Sequence, residues 1–254
     1  MTDAATKILV PAVLYEDEVL LALDKPAGIT VNRSETTQHE YTIQDWLSER
    51  LHKELQIADP ESDFFKRSGF VHRIDKETSG ILLVAKTEAA FLELQRQFKE
   101  RLTHKQYLAL VHGHMTPRTG EIRIPVGRLP WNRARFGVVP GGKESVTVYE
   151  VEAGYRLVGE PLSLVRLFPE TGRTHQIRVH LKYAGFPIFA DFLYAGRKTS
   201  AKDRRTLERV FLHAAYLSFI HPVHGTRLEI RSQLPIELTN VLATLAPEPG
   251  SLYD

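Results

Sequence analysis

The first apolar runs of the chain are short and close together. Residues 13–15 and 19–23 are apolar and flank an acidic stretch of three residues. Two such runs around a polar turn are typical of a β-hairpin, and Pro26 and Gly28 end the pattern. The sequence therefore predicts a hairpin at the start of the fold.

Helical spacing of apolar residues follows in three places. The apolar faces are Trp46, Leu47, Leu51 and Leu55, then Phe91, Leu94, Phe98 and Leu102, then Ile177, Leu181 and Ala184. A capping-box pattern begins at Thr42, and Thr87 and Thr174 are candidate N-caps of the other two helices. Gly185 is a typical helix end.

Strand-like runs lie between and after these helices, without regular βαβ spacing. They are residues 81–85, 107–111, 147–151, 162–168, 211–219 and 227–230. This order favours an α+β fold over a doubly wound sheet. Residues 57–69 are predicted to be a polar connection. Residues 123–143, rich in Pro, Gly and Arg, are predicted to be a long exposed functional loop.

Composition places the chain among ordinary globular proteins. It has 254 residues, 43% apolar and 25% charged, and no cysteine, which excludes disulfides and cysteine metal sites. No apolar run approaches the length of a membrane span, and residues 1–7 do not resemble a signal peptide. We expect a cytoplasmic protein without a membrane partner.

Charge is unevenly distributed, although the net charge is only +2. Residues 15–63 contain twelve acids and four Lys or Arg, whereas residues 96–143 contain ten Lys or Arg and two acids. A concentrated positive segment is what a polyphosphate partner requires, although it is also compatible with a solvated basic face. Arg133 and Arg135, near Trp131 in the predicted loop, are candidate contacts for such a polyphosphate partner.

The densest chemistry lies in residues 72–80, His-Arg-Ile-Asp-Lys-Glu-Thr-Ser-Gly, directly before an apolar run. A carboxylate held at the end of a sheet, here Asp75, can serve as a nucleophile or a base. A surface ion pair with Arg73 is the simpler alternative. A second dense segment, residues 171–180 (Thr-Gly-Arg-Thr-His-Gln-Ile-Arg-Val-His), adds donors and contains no acid.

Together these two segments resemble the signatures of the pseudouridine synthases of the RluA type. Weaker matches lie at residues 24–28 (Asp-Lys-Pro-Ala-Gly), 105–107 (Lys-Gln-Tyr) and 212–214 (Leu-His-Ala). Ile74, which replaces a leucine, is the one departure within the motifs. The resemblance implies one catalytic domain, residues 1–254, around a mixed, largely antiparallel sheet. Because few residues precede the Lys-Pro-x-Gly segment, we do not expect the N-terminal RNA-binding module that some members carry.

The resemblance also implies an activity and roles for individual residues. The reaction would be the isomerisation of uridine to pseudouridine in ribosomal or transfer RNA, with the target base flipped out of the helix. Asp75 would be the catalytic carboxylate, paired with Arg178, and Tyr107 would stack on the base and relay a proton. Arg73 would fill the space left by the base or grip a phosphate, and Leu212 would pack under the uracil.

Several alternatives stay open from the residues alone. Asp75 could attack the ribose, attack the uracil ring or remove a sugar proton. A nucleic-acid glycosidase would call for a second paired carboxylate, and neither motif supplies an obvious one. A non-catalytic RNA-binding module would have no use for an acid beside phosphates.

We expect no cofactor and no metal, and we infer no protein partner from the sequence. The eleven histidines have no third ligand at a diagnostic spacing. The segment that ends at Lys143 nearly satisfies a phosphate-loop pattern, but Glu144 stands where a Ser or Thr would hold magnesium.

Overall fold

The computed structural model describes residues 10–33, 40–51 and 58–248, without the side chains of Arg133 and Ala134. The chain forms two compact units. Unit 1 comprises residues 1–102 and 219–232, and unit 2 comprises residues 103–218 and 233–254. The expectation of a single domain stays a prediction.

Helices and strands interleave irregularly along the chain. The strands are β1 (Ala12–Glu16), β2 (Leu20–Lys25), β3 (Ser79–Ala85), β4 (His104–His112), β5 (Thr119–Arg123), β6 (Val126–Leu129), β7 (Asn132–Val138), β8 (Val146–Leu157), β9 (Glu160–Pro169), β10 (Leu212–Ile220), β11 (Arg227–Arg231) and β12 (Ala246–Pro247). The helices are α1 (Ile43–Arg50), α2 (Asp63–Lys66), α3 (Glu88–Lys99), α4 (Gln176–Tyr183), α5 (Arg197–Asp203) and α6 (Ile236–Thr244).

Unit 1 contains the predicted hairpin and a third strand beside it. β1, β2 and β3 pair antiparallel in that order, with Leu20 opposite Ala85 and Lys25 opposite Gly80. Every residue of β3 is buried, as expected for a continuous apolar run covered on both faces. Thr42 closes the predicted capping box with Asp45 at the start of α1. Leu55, predicted to extend this helix, lies outside the described residues.

Unit 2 is built on a second antiparallel set of strands. The strand order is β10-β4-β9-β8-β12. β5 pairs with the N-terminal part of β8. The long hairpin β8–β9 supplies its core with residues such as Val151 and Val165. Ile177 and Leu181 of α4 belong to the same core, as the helical spacing predicts. The α+β class and the largely antiparallel sheet are confirmed.

Two predicted connections contain regular structure. Residues 63–66 form a short helix within the predicted polar connection, because Ser62 caps it and Phe64 is buried. The predicted loop 123–143 is wrong as a structureless segment, since β6 and β7 form an antiparallel hairpin within it. Gly127 pairs with Gly137 there, and a Cβ on Gly137 would lie 2.6 Å from Leu129 Cδ2. Glycines at these closely packed positions thus obscure the apolar alternation that usually identifies a strand.

Membrane-spanning helices are not found in the described part of the chain, where each helix is too short or too polar to cross a bilayer.

Candidate active site

Asp75 lies in a turn that leads directly into β3. The turn is closed by a backbone hydrogen bond from Thr78 N to Asp75 O, 3.1 Å. Ile74 is buried at 5% exposure, whereas Arg73 is exposed and Asp75 is half-buried. The apolar neighbour anchors the turn and leaves the carboxylate of Asp75 partly accessible.

His72 fixes the entry to this turn. Its Nε2 accepts a hydrogen bond from Leu83 N at 2.9 Å, so the segment is tied to the middle of β3. The imidazole also stacks on Phe98 of α3, with ring centroids 4.8 Å apart. The histidine of the first motif therefore has a structural role that also fixes its tautomer, because an accepting Nε2 is unprotonated.

The Lys-Pro-x-Gly segment clamps the other side of the turn. Lys76 O accepts from Gly28 N at 2.8 Å and from Lys25 Nζ at 3.1 Å. Lys25 is fully buried, and its ammonium also donates to Pro26 O and Ile29 O at 2.8 and 3.0 Å. Three carbonyls satisfy the three donors of a buried lysine, which lowers the cost of its burial. The sequence indicated this segment only as a weak match, without the clamp.

The second motif begins with a network around Gln176, which is 4% exposed. Its Oε1 accepts from Thr171 Oγ1 at 2.7 Å and from Arg173 N at 3.0 Å. Its Nε2 donates to Val146 O at 2.9 Å and to Thr147 Oγ1 at 3.0 Å. One side chain thus fastens the loop before α4 to β8.

Thr174 is not the N-cap of α4, which corrects the sequence prediction. The N-cap is His175, in a left-handed conformation with φ of 57° and no side-chain capping bond. Thr174 lies one residue before the N-cap position and therefore does not cap the helix. In the same loop, the Gln176 side chain accepts a hydrogen bond from the Arg173 amide. Gly185, with φ of 90°, follows the helix end as predicted.

Arg178 is buried in the first turn of α4 and forms a two-bond pair with Asp191. Arg178 Nε lies 2.8 Å from Asp191 Oδ2, and Nη2 lies 2.8 Å from Oδ1. The two side chains are 6% and 0% exposed. Asp191 was not predicted as a site residue from the sequence, although a single acid within the apolar run 186–194 is a signal that indicates it.

Tyr107 and Leu212 share one face of unit 2. Tyr107 lies opposite Ala214 in the β4–β10 ladder, and Leu212 lies two residues before Ala214 on β10. Diagonal neighbours of this kind are close enough for large side chains to interact. Leu212 is 3% exposed, and Tyr107 packs as a partly buried residue against the core that contains it.

The β6–β7 hairpin carries the candidate RNA contacts. Arg135 lies on β7 and is partly buried, whereas the side chain of Arg133 lies outside the described residues. Trp131, in the hairpin turn, is 79% exposed. The guanidinium of Arg128 lies 5.1 Å from the centre of the Phe136 ring. The hairpin therefore presents an exposed aromatic ring on a segment rich in arginine.

The structure changes the proton affinity of His180, which belongs to the second motif. Burial lowers its pKa from the ordinary value of 6.5, against the opposing effect of its hydrogen bond to Ile124 O. Its Nε2 lies 3.1 Å from that carbonyl, and its Nδ1 is buried without a hydrogen-bond partner. His180 is therefore favoured as a neutral ring.

The candidate residues divide between the units. Asp75 and Arg73 belong to unit 1, and Tyr107, Arg178, Leu212, Arg133 and Arg135 belong to unit 2. Their meeting in one site stays a prediction. Within the described ranges, no group of three or more His, Asp or Glu side chains is arranged to hold a metal ion.

Comparisons with known proteins give the same family as the motifs. A family model described as RNA pseudouridylate synthase matches residues 19–183. An uncharacterized RNA pseudouridine synthase of Mycobacterium bovis is 36% identical over 239 residues, which are 93% of this chain and 73% of the relative. The ribosomal large subunit pseudouridine synthase C of Haemophilus ducreyi is 37% identical over 239 residues, 93% of this chain and 69% of the relative.

Solved structures agree. The human RNA pseudouridylate synthase domain containing 1 has a TM-score of 0.73 at 27% identity, over 97% of this chain and 91% of that chain. The span that the family model matches includes both motif segments and the Lys-Pro-x-Gly clamp on the Asp75 turn. The chain therefore belongs to the RNA pseudouridine synthase family and is an isomerase that acts on uridine in RNA.

Proposed function

We propose that this enzyme modifies ribosomal RNA of the large subunit and that Asp75 is its catalytic carboxylate. The turn that presents Asp75 carries the proposal, because it is fixed by His72 and by the Lys25 clamp while the carboxylate stays partly accessible. Reacting groups must be held in one geometry to act efficiently, and this turn is held from two sides. The name of the Haemophilus relative supports the choice of RNA.

The chemistry needs no net change in oxidation state. The bond between ribose C1′ and uracil N1 breaks, the uracil turns, and a bond between C1′ and C5 forms. C5 loses a proton and N1 gains one, so an acid–base group suffices. Asp75 attacks the ribose, attacks the ring or removes a sugar proton, and each course satisfies this balance. The target uridine must leave the helix, because its glycosidic bond is inaccessible within the stack.

Other residues are assigned to the support of this step. Arg178 orients the Asp75 carboxylate through a charge-assisted contact, and Tyr107 stacks on the flipped base and relays a proton. Leu212 lies on the same sheet face as Tyr107 and packs under the uracil ring. Arg73, which is exposed, occupies the space left by the base or binds a phosphate.

Pseudouridine mapping tests the reaction and its target together. Transcribed large-subunit ribosomal RNA and a transfer RNA pool would each be incubated with wild type, Asp75→Asn and Glu88→Gln. Glu88 is the matched control, since it is an exposed carboxylate at the start of α3 in the same unit. We expect modification of ribosomal RNA by wild type and Glu88→Gln alone. Modification confined to transfer RNA would overturn the proposed target, and turnover by Asp75→Asn would overturn the catalytic role.

We also propose that the β6–β7 hairpin binds RNA phosphates. Each phosphate contact contributes roughly 0.7 to 0.9 to the slope of log affinity against log salt. The double change Arg133→Ala and Arg135→Ala should therefore flatten this slope by about one to two units. Arg227→Ala with Arg231→Ala, two exposed arginines of β11, is the control pair. An unchanged slope would direct the search for the RNA path to residues 197–205.

A further inference from the structure

Arg178 is held by more than its acidic partner. Its guanidinium carbon lies 5.0 Å from the centre of the Tyr194 ring. Asp191 fixes the guanidinium through two hydrogen bonds of 2.8 Å, so the ring and the carboxylate together determine its orientation. An arginine held in this way loses less conformational freedom when it acts on a third group.

The acid and the ring come from one tight turn. Asp191 Oδ1 accepts hydrogen bonds from Leu193 N at 3.0 Å and from Tyr194 N at 3.1 Å. The turn follows Ala190, whose φ of 60° is unusual for a residue with a Cβ. Asp203 Oδ2 holds this strained position by accepting from Ala190 N at 3.0 Å. The backbone is thus committed to placing Asp191 and Tyr194 around Arg178.

The hydroxyl of Tyr194 reaches the β6–β7 hairpin. It accepts a hydrogen bond from Phe136 N of β7 at 3.2 Å and lies 2.8 Å from Nδ1 of His175. A hydroxyl that accepts from an amide still has its own proton, which it can donate to His175 Nδ1 when that nitrogen is unprotonated. Tyr194 is also buried with Val126 and Val179 in a small cluster, against which Phe136 packs.

We propose that Tyr194 is a positioning residue that couples the RNA-binding hairpin to Arg178. The hydroxyl secures the ring to the backbone of β7, and the ring face sets the guanidinium. RNA bound on the hairpin stabilises the arrangement of β7 in which Tyr194 supports Arg178. The coupling rests on the proposed roles of Arg178 and of the hairpin, and it assigns a task to a hydroxyl that the reaction itself does not use.

A double-mutant cycle tests the coupling. Tyr194→Phe keeps the ring and removes the hydroxyl, and Arg178→Lys removes the planar fork. Single-turnover rates would be measured at saturating RNA for wild type, both single variants and the double variant. We expect Tyr194→Phe to slow the reaction roughly tenfold when Arg178 is unchanged, because small misplacements of a catalytic group lower the rate strongly. In the Arg178→Lys background the same change should cost less than about twofold.

Tyr183→Phe is the matched control. Tyr183 ends α4, is 61% exposed and undergoes the same chemical change. Its rate should equal that of wild type. Hydrogen exchange of the Phe136 amide gives a second readout, since this amide loses its acceptor only in Tyr194→Phe and should exchange faster there.

Each outcome decides one claim. A slow Arg178→Lys with a wild-type rate for Tyr194→Phe overturns the coupling and leaves the proposed function intact. A wild-type rate for Arg178→Lys overturns the proposed role of Arg178 instead. Equal losses from Tyr194→Phe in both backgrounds would mean a general structural effect and would also overturn the coupling.

A second pair of variants replaces Tyr194→Phe if that protein does not fold. His175→Asn keeps an acceptor near the position of Nδ1 and suits the left-handed backbone, whereas His175→Ala removes the acceptor. Recovery of the rate by His175→Asn relative to His175→Ala supports the coupling, and equal rates contradict it.

Discussion

The two motif segments are fixed in opposite ways. The Asp75 segment is held mainly through its backbone, by the bonds of Lys76 O and by the turn closed at Thr78, and its carboxylate stays half-buried. The Arg178 segment is held through its side chains, and Gln176, Arg178 and His180 are all at most 5% exposed. A reactive acid must remain accessible to substrate, whereas a positioning cation gains from being locked in place. A change of the Asp75 side chain should therefore affect activity, whereas changes of the buried side chains in the second segment should affect stability as well.

The largest effect should come from Asp75→Asn. We expect product to fall below detection, because Asp75 is the carboxylate proposed to act in the transition state. The free energy of unfolding should change by less than about 1 kcal/mol, since the turn is held by backbone bonds. Urea unfolding and single-turnover assays on the same preparation check both parts. A large loss of stability would remove the contrast between the segments.

Asp191→Ala should be the most destabilising change. Removing one partner of a buried pair leaves an uncompensated charge, which costs about 3–5 kcal/mol. Urea unfolding of Asp191→Ala measures this cost, and Glu160→Ala, an exposed acid at the start of β9, is the control and should stay within about 0.5 kcal/mol of wild type. A loss of less than about 1 kcal/mol for Asp191→Ala would mean that the second segment is not locked by this pair.

His72→Phe tests a side chain that ties the first segment to β3. The ring remains to stack on Phe98, but Leu83 N loses its acceptor. An unsatisfied buried amide costs about 1–3 kcal/mol. Hydrogen exchange should accelerate at the Leu83 amide and not at the Ala85 amide, which bonds to Gly69 O at 2.9 Å. Equal acceleration at both amides would indicate general loosening of β3.

The smallest effect should be the pH dependence contributed by His180. Its pKa is lowered by burial, so the unfolded chain takes up the proton first as the pH falls through 6.5. The stability present above that pH is lost as the pH falls toward the lowered value. His180→Gln should show a smaller decrease in unfolding free energy between pH 7.5 and pH 5.5. A decrease as large as that of wild type would assign the acid sensitivity to other groups.

The sequence was most informative where its signals are local. The capping box at Thr42 and the glycine after α4 were predicted because these features depend on residues a few positions apart. The hairpin β6–β7 was missed because glycines and arginines obscured its alternation, although Arg135, Phe136 and Val138 do alternate in polarity. The local residue types indicated where the chain turns but not that β6 pairs with β7.

The motifs by themselves determined the family, the reaction class and the candidate Asp75. Covalent neighbours and residue types suffice for this, since the reacting groups occur in short ordered segments. Only the tertiary structure decided that Lys25 clamps the Asp75 turn and that Asp191 holds Arg178. Lys25 and Lys76 are far apart in the chain. Arg178 and Asp191 are closer in the chain, but they meet only because the buried turn at Asp191 has its particular conformation. A sequence states which side chains are available, and packing decides which donor meets which acceptor.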